Sequence, residues 1–320
     1  MTNSVLRTAV VFFTVLSLTS CERITLYAAA GDMGALADAT QEDTTPNAVT
    51  NRRAADGTEA SLLSAFYGID DGLPVMANRG ICKGAAGKDG MPVVFSHRVD
   101  LQTVQAGDFN VVAESGREGT LVCVTPAPAD DSGEERTILL VGQYGNPEDP
   151  PAMVEIVGNI LSVDGQMNFR GARVAVTALE EGPTIVWSEV VPETQWELGK
   201  AATALPFGGG NGCPVATKQV VRVTWAGGVT KPGGRQEVDD LERLAYRVAL
   251  ARDEGTDIEL VPYALADLGD GDNNHELCLD RTGLPTAVTF PAGLVTDPRE
   301  DLNPATRIDV GRIGDATLRR

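Results

Sequence analysis

The stretch DFNVVAESGREGTLVCVTPAPADD, residues 108–131, returns in altered form as AYRVALARDEGTDIELVPYALADL, residues 245–268. Phe109 matches Tyr246, Val111 matches Val248, Val124 matches Val261, Ala127 matches Ala264 and Asp130 matches Asp267, all at one constant separation. Upstream, PVVFSHRVD matches RVTWAGGVT, so that Val93 pairs with Val223, Phe95 with Trp225 and Val99 with Val229. Cys82 pairs with Cys213. Downstream, Gly158 pairs with Gly293, Ser162 with Thr296, Arg173 with Arg307 and Val174 with Ile308. The separation drifts by a few residues between these blocks, as loop insertions would produce. The shared order implies a tandem duplication, roughly 80–178 and 211–312.

Each copy reads as β. PVVFSH, FNVVAES, TLVCVT, TILLVGQY and AMVEIVG are short runs of Val, Ile, Phe and Thr, and KQVVRVTW, AYRVALA, DIELVPY, TAVTFPA and TRIDV repeat the theme. PADDSGEE and YGNPEDPP are turn clusters between them. Val93, Phe95, Val99, Phe109 and Val111 are the expected inward positions of period-two strands. The chain holds 35 Gly and 18 Pro with aromatics at only 5%, which disfavours a helical bundle. The expected architecture is all-β, two tandem antiparallel β-sandwiches after a disordered tether. SLLSAFYGI (61–69) reads as a short helix or an entry strand. GARVAVTALEEGPTIVWSEVV (171–191) adds two strand-like pieces that would extend the first sandwich.

The run from Met91 to Val112, MPVVFSHRVDLQTVQAGDFNVV, resembles the opening of bacterial Ig-like domains of the S-layer (SbsA) type. That resemblance implies an Ig-like sandwich acting as spacer or adhesion module, and it carries no catalytic residue. In the second copy WAGGVT replaces FSHRVD, so its assignment follows from the repeat.

Met1 to Ser20 combines Arg7 with the apolar run AVVFFTVLSL, which is too short to span a membrane and fits a secretory signal. It ends in Leu18-Thr19-Ser20-Cys21, which resembles the bacterial lipobox. The resemblance implies cleavage before Cys21 and acylation of that residue. Glu22 follows rather than the aspartate associated with inner-membrane retention, so the expected location is the cell envelope, at the outer membrane in a Gram-negative source. Residues 21–60 read as an acylated flexible tether, 61–198 as the first domain and 199–320 as the second.

Four cysteines remain, Cys82, Cys123, Cys213 and Cys278, and an exported chain is expected to pair them. One bridge per copy selects Cys82–Cys123 and Cys213–Cys278. Cys123 precedes the ADD turn whereas Cys278 follows the ADL turn, a mismatch between the copies.

The loop ADLGDGDNNHELCLD (266–280) occupies the slot of DDSGEERTILL in the first copy. It reads as a surface turn with its charges in water, or as a calcium loop using Asp267, Asp270, Asp272 and Asn274, joined by Asp297 and Asp301. An EF-hand is excluded, because His275 and Arg281 stand where glycine and glutamate are required. Leu279 stands where a zinc HExxH motif needs its second histidine, and no G-x-S-x-G elbow occurs. His97 reads as a surface or turn residue. PFGGGNGCP (206–214) lacks a phosphate-loop ending and reads as an interdomain linker. Trp225 aligns with core Phe95, whereas Trp196 is the better candidate for an exposed glycan platform, with Trp187 a weaker one.

The net charge of −19 repels nucleic acid. The expected function is a non-enzymatic cell-surface lipoprotein, a structural or adhesion module for envelope polymer, glycan or protein. No cofactor is required unless calcium stabilises it. The alternative is a carbohydrate-active or other hydrolase using Asp267, Asp272, Asp297 and His275 in the acidic loops of the second domain.

Overall fold

The computed structural model describes residues 37–38, 43–54, 57–203, 209–234, 236–251 and 257–311. The expected signal segment and Cys21 lie outside the described residues. The fold is all-β.

The first unit holds β1 (Ala37–Asp38), β2 (Leu62–Phe66), β3 (Asp89–Phe95), β4 (Phe109–Ala113), β5 (Thr120–Thr125), β6 (Thr137–Gln143), β7 (Pro151–Ile156) and β8 (Arg173–Thr177). They run in the order β1-β5-β6-β3-β2-β8-β7-β4, a nearly closed sheet. All neighbours are antiparallel except β2 and β8, which pair in parallel through Ala65 and Phe66. A register shift between Leu62 and Ser64 interrupts the β2–β3 ladder, and β2 pairs with β8 just beyond it, at Ala65 and Phe66. Strand β2 therefore joins two layers, β5-β6-β3-β2 and β8-β7-β4, the ABED and CFG layers of an immunoglobulin-like sandwich. SLLSAFYGI thus contains a strand, not a helix.

The second unit repeats this order. Its strands are β9 (Ile185–Val190), β10 (Gln219–Trp225), β11 (Arg247–Ala251), β12 (Ile258–Leu260), β13 (Ala264–Ala266), β14 (Asn274–Leu279), β15 (Leu284–Phe290) and β16 (Thr306–Asp309). One sheet runs β13-β14-β10-β9 and the other β12-β11-β15-β16. Glu189 on β9 bridges Gly311 in parallel just beyond β16, as β2 does with β8. Strand β9, read from the sequence as part of the first sandwich, hydrogen-bonds along β10 of the second.

The duplication is visible in register. Val93 faces Ile138 across β3 and β6, and its counterpart Val223 faces His275 across β10 and β14. Val99 bridges Ser162 in one unit and Thr230 bridges Thr296 in the other. The inward positions expected from alternation are core: Val93, Phe95, Val99, Phe109 and Val111 are buried together. Phe95 meets Phe109 and Phe169 edge-on at 6.4 and 5.0 Å. Trp225 meets Phe290 edge-on at 5.3 Å. Each such buried side chain contributes about 1.5–3 kcal/mol.

Strand β6, TILLVGQ, is buried on both faces, which explains why its apolar residues do not alternate. Its outer face is covered by the β2–β3 connection: Leu73, Ala77, Ile81 and Cys82 pack on Cys123, Leu139 and Val141. In the second unit the β9–β10 connection does the same, with Val191, Trp196 and Cys213 on Val220, Ala266 and Cys278. Each strap is pinned by a disulfide, Cys82–Cys123 and Cys213–Cys278. The mismatch between copies resolves here. Cys123 on β5 lies opposite Val141 on β6, and Cys278 holds the place of Val141 on β14. The two bridges reach one patch from neighbouring strands.

Three expectations change. Residues 43–54, read as tether, are held on the first sandwich. Asp43 Oδ2 accepts from Asn159 N at 3.1 Å and Nδ2 at 2.8 Å, and Asn168 Nδ2 donates to Val49 O at 2.9 Å. The described part of PFGGGNGCP is strap rather than free linker, with Gly210 N donating to Asp131 Oδ2 at 2.9 Å. Trp196 is buried and donates Nε1–H to Val191 O at 2.9 Å, so it offers no exposed platform.

Candidate functional site

The two sandwiches meet where the β5–β6 loop of the first (126–136) lies on the outer face of β10 and β14 and beside the β13–β14 loop (267–273). That face carries a charged pair inside the sheet. Arg222 on β10 stands opposite Glu276 on β14 in register, and Arg222 Nη2 donates to Glu276 Oε1 at 3.0 Å. Arg222 Nη2 also donates to Ser132 O at 3.2 Å, and Nε lies 3.7 Å from Glu134 Oε1. Alongside, Arg136 Nη2 donates to Glu189 Oε2 at 3.2 Å, and its guanidinium sits 4.1 Å over the ring of half-buried Trp187. Trp187 Nε1–H donates to the same Glu189 oxygen at 3.1 Å.

The acidic loop is not a solvated turn. Asp267, Asp270 and Asp272 are 6, 6 and 7% exposed, because the first sandwich and the strap of the second cover them. Gly269 and Gly271 take positive φ angles of 106° and 76°, which let the chain fold its carboxylates inward. Asn211 clamps the loop, accepting from Asp267 N at 2.6 Å through its carbonyl and from Leu268 N at 2.9 Å through Oδ1. Asp272 Oδ1 accepts from Asn274 N at 2.8 Å, and its Oδ2 accepts from Asn274 Nδ2 at 2.5 Å.

The first sandwich adds Glu134, 2% exposed, and Asp131. One oxygen from each of Glu134, Asp267 and Asp272 falls within 4.8 Å of the others, and the same holds for Asp131, Asp267 and Asp270. Among the described residues, Glu134 Oε1, Asp267 Oδ2 and Asp270 Oδ2 are buried and accept no hydrogen bond, and Arg222 Nε and Nη1 donate none. Burial first, then the neighbouring Asp272 and Asp267 charges, hold the Glu134 carboxyl well above its usual range. Burial and then Asp267 and Asp270 do the same to Asp272. Asp270 is pushed up to about 7, by burial and then by Asp267. Burial also raises Glu276 to about 7 against the opposing pull of Arg222.

Not every residue singled out in the sequence reaches this cluster. Asn274 Oδ1 accepts from Thr224 Oγ1 at 2.8 Å while its Nδ2 serves Asp272, so its side chain braces the loop instead of facing a cation. His275 points into the core of the second sandwich. Trp225 Nε1–H donates to Tyr246 OH at 3.0 Å, and the Tyr246 hydroxyl meets His275 Nδ1 at 2.8 Å. Burial lowers the His275 pKa to about 4. Asp297 serves its own turn, with Oδ1 accepting from Arg299 N and Asp301 N at 2.9 Å each. Neither Asp297 nor Asp301 joins the cluster. His97 is half-buried, with Nδ1 2.9 Å from Ser96 Oγ and Nε2 3.1 Å from Thr58 Oγ1.

Beside the carboxylates a cleft of about 520 Å³ opens between the units. The first unit supplies an apolar wall that includes Ile69, Leu73, Ile81, Pro92, Pro128 and Leu139. The second supplies Val229, Glu237, Pro298 and the Asp267–His275 loop. Sequence reading missed Glu134, Arg136, Glu189, Arg222 and Glu276. The available signal was a lone charge inside an apolar strand, as in KQVVRVTW.

A search against family models found none that matches the chain, and a search of curated proteins found no match. Among the described residues, no helix is long and apolar enough to cross a membrane.

Proposed function

We propose that this chain is a non-enzymatic lipoprotein of the cell envelope, tethered through an acylated Cys21, whose two sandwiches act together as a binding module for an exposed protein segment. The observation that carries this reading is the cleft walled by both units. Its apolar side, with Pro92, Pro128 and Leu139, faces an acidic side with Glu237 and Asp270. That combination fits an extended segment bearing an aliphatic or proline residue next to a lysine or arginine. Apolar contact supplies affinity and the carboxylates fix orientation. The lipobox resemblance at Leu18–Cys21 supports the anchoring. Several acyl chains hold durably at about 0.8 kcal/mol per buried CH₂.

The test is a fluorescence-anisotropy screen of the full chain against short peptides that permute proline, leucine, lysine and glutamate. Basic–apolar peptides should bind, acidic ones should not, and both Ile69→Glu and Glu237→Lys should abolish binding. Equal binding of acidic and basic peptides, or none by any, would overturn the cleft assignment. Radiolabelled palmitate incorporation, lost in Cys21→Ser, checks the anchor separately.

One observation favours the hydrolase alternative. Asp267, Asp270 and Asp272 converge on the same cleft, and a carboxyl near pKa 7 such as Asp270 suits a general acid. Turnover of a chromogenic glycoside or peptide substrate that disappears in Asp270→Asn would establish that reading instead.

A further inference from the structure

We propose that a divalent cation of the calcium class binds between the two sandwiches, held by Glu134 of the first and by Asp267 and Asp272 of the second, and that it locks the two units together. Asp267 and Asp272 also line the cleft, whereas Glu134 does not, so loss of the ion and loss of a cleft ligand are read separately through Glu134.

Three observations converge. Oxygens of Glu134, Asp267 and Asp272 gather within 4.8 Å, and all three residues are buried. Asp267, 6% exposed, and Glu134, 2% exposed, face each other as two carboxyls that can hydrogen-bond only if one of them holds a proton, and no N–H of a described residue donates to Glu134 Oε1 or Asp267 Oδ2. A buried, unpartnered carboxylate oxygen is costly unless a cation or a proton answers it. A second trio, Asp131, Asp267 and Asp270, shares Asp267 and adds another unpartnered oxygen, Asp270 Oδ2. The donors are all hard oxygens, which selects calcium over zinc or copper. Calcium takes six to eight oxygens at about 2.3–2.6 Å, and a loop of this kind can complete the shell with bidentate carboxylates, carbonyls and water.

Nearby cations answer the charge only in part. Arg222 pairs with Glu134 at 3.7 Å and is hydrogen-bonded to Glu276 and Ser132, so one guanidinium faces the carboxyls of Glu134, Glu276 and Asp267 together. Lys200 lies 3.5 Å from Asp131 Oδ2 and pairs with Glu197 at 2.5 Å, on the outer side of the cluster. Another acidic trio, Asp70, Asp71 and Asp89, makes the contrast. There Asp89 accepts from Asp71 N at 2.9 Å and Tyr144 N at 2.7 Å, Gln143 Nε2 donates to Asp71 Oδ1 at 2.6 Å, and Tyr67 OH donates to Asp70 Oδ1 at 2.9 Å. Hydrogen bonds satisfy that group, and it asks for no ion.

Because one ligand comes from the first sandwich and two from the second, binding is linked to their docking. Equilibrium dialysis of the full metal-stripped chain against radioactive calcium at pH 7.5 is the first measurement. One saturable site should appear, and the melting temperature should rise by several degrees in millimolar calcium. Glu134→Gln should keep the folded near-ultraviolet dichroism and lose both the retained calcium and the thermal shift. Asp70→Asn, in the satisfied trio, should keep them. Failure of the unmodified chain to retain calcium would overturn the proposal and assign the raised carboxyls to bound protons. Calcium binding that survives Glu134→Gln would overturn it equally, because the ion would then belong to the second sandwich alone.

Discussion

Glu134 of the first sandwich and Arg222 of the second form an ion pair at 3.7 Å whose side chains are 0 and 4% exposed. Arg222 is simultaneously bonded to Glu276 on the neighbouring strand. Strand β10, which otherwise buries no charged residue, has given one of its outward positions to a charge, and the other unit covers that charge. The two sandwiches are therefore joined by groups that neither can leave uncovered without rehydrating them.

Replacing Arg222 tests how much the junction contributes. In Arg222→Ala the Glu134 and Glu276 carboxylates lose their buried counter-charge, and breaking a buried pair this way costs about 3–5 kcal/mol. Chemical denaturation should show the loss. Arg222→Met with Glu134→Gln and Glu276→Gln should recover most of it, since replacing all partners removes the uncompensated charge. An unchanged midpoint in Arg222→Ala would mean that the pair contributes nothing to holding the units together.

His275 makes stability fall in acid. It occupies the slot of Ile138 in the repeat, is 4% exposed and meets Tyr246. Its folded pKa is lowered to about 4 from 6.5. The unfolded chain therefore binds a proton between pH 6.5 and 4 while the folded chain does not. The contribution is fully present above about pH 6.5 and is lost as pH falls toward 4, by roughly 3 kcal/mol. The raised carboxyls Asp108, Asp270 and Glu276, each near 7, act in the opposite sense, since acid relieves the cost of their buried charge. Comparison with His275→Phe isolates the histidine: the stability advantage of the native chain over this variant should shrink between pH 7 and 4. A constant difference would refute a buried neutral histidine.

Each disulfide pins a strap over one sandwich. They close loops of 41 and 65 residues, for which chain entropy gives about 4 kcal/mol apiece. Cys213→Ser with Cys278→Ser should cost at least as much as the pair at Cys82 and Cys123, because its strap also carries Gly210 and Asn211 of the junction. Hydrogen exchange should quicken first at Asp267 and Leu268, whose amides Asn211 holds. Exchange confined to the strap would separate the bridge from the junction.

The strands were legible where apolar runs sit between turns: PVVFSH, TILLVGQY and AYRVALA all fall on strands, and both cysteine pairs followed from the repeat. Strand β14 was not, because NHELCL puts Asn274, Glu276 and Cys278 on an outward face that is buried by another part of the chain. Periodicity reports polarity, and here polar residues face a protein surface rather than water. The same cause hid the site. Asp267, Asp270 and Asp272 were visible as a loop, but their burial comes from Glu134 and its neighbours, far away in sequence. The Trp196 expectation failed likewise, since its polar neighbours gave no sign of the strap packing beneath it.

The buried junction requires the two sandwiches to tumble as one body, and amide residual dipolar couplings of the full chain at pH 7 test this most directly. Couplings from β3, β6 and β7 and from β10, β14 and β15 should fit a single alignment tensor, and Glu134→Gln with Arg222→Met should split it in two. Two tensors of different magnitude in the unmodified chain would mean that the sandwiches move independently, contradicting both the junction and the cleft built on it.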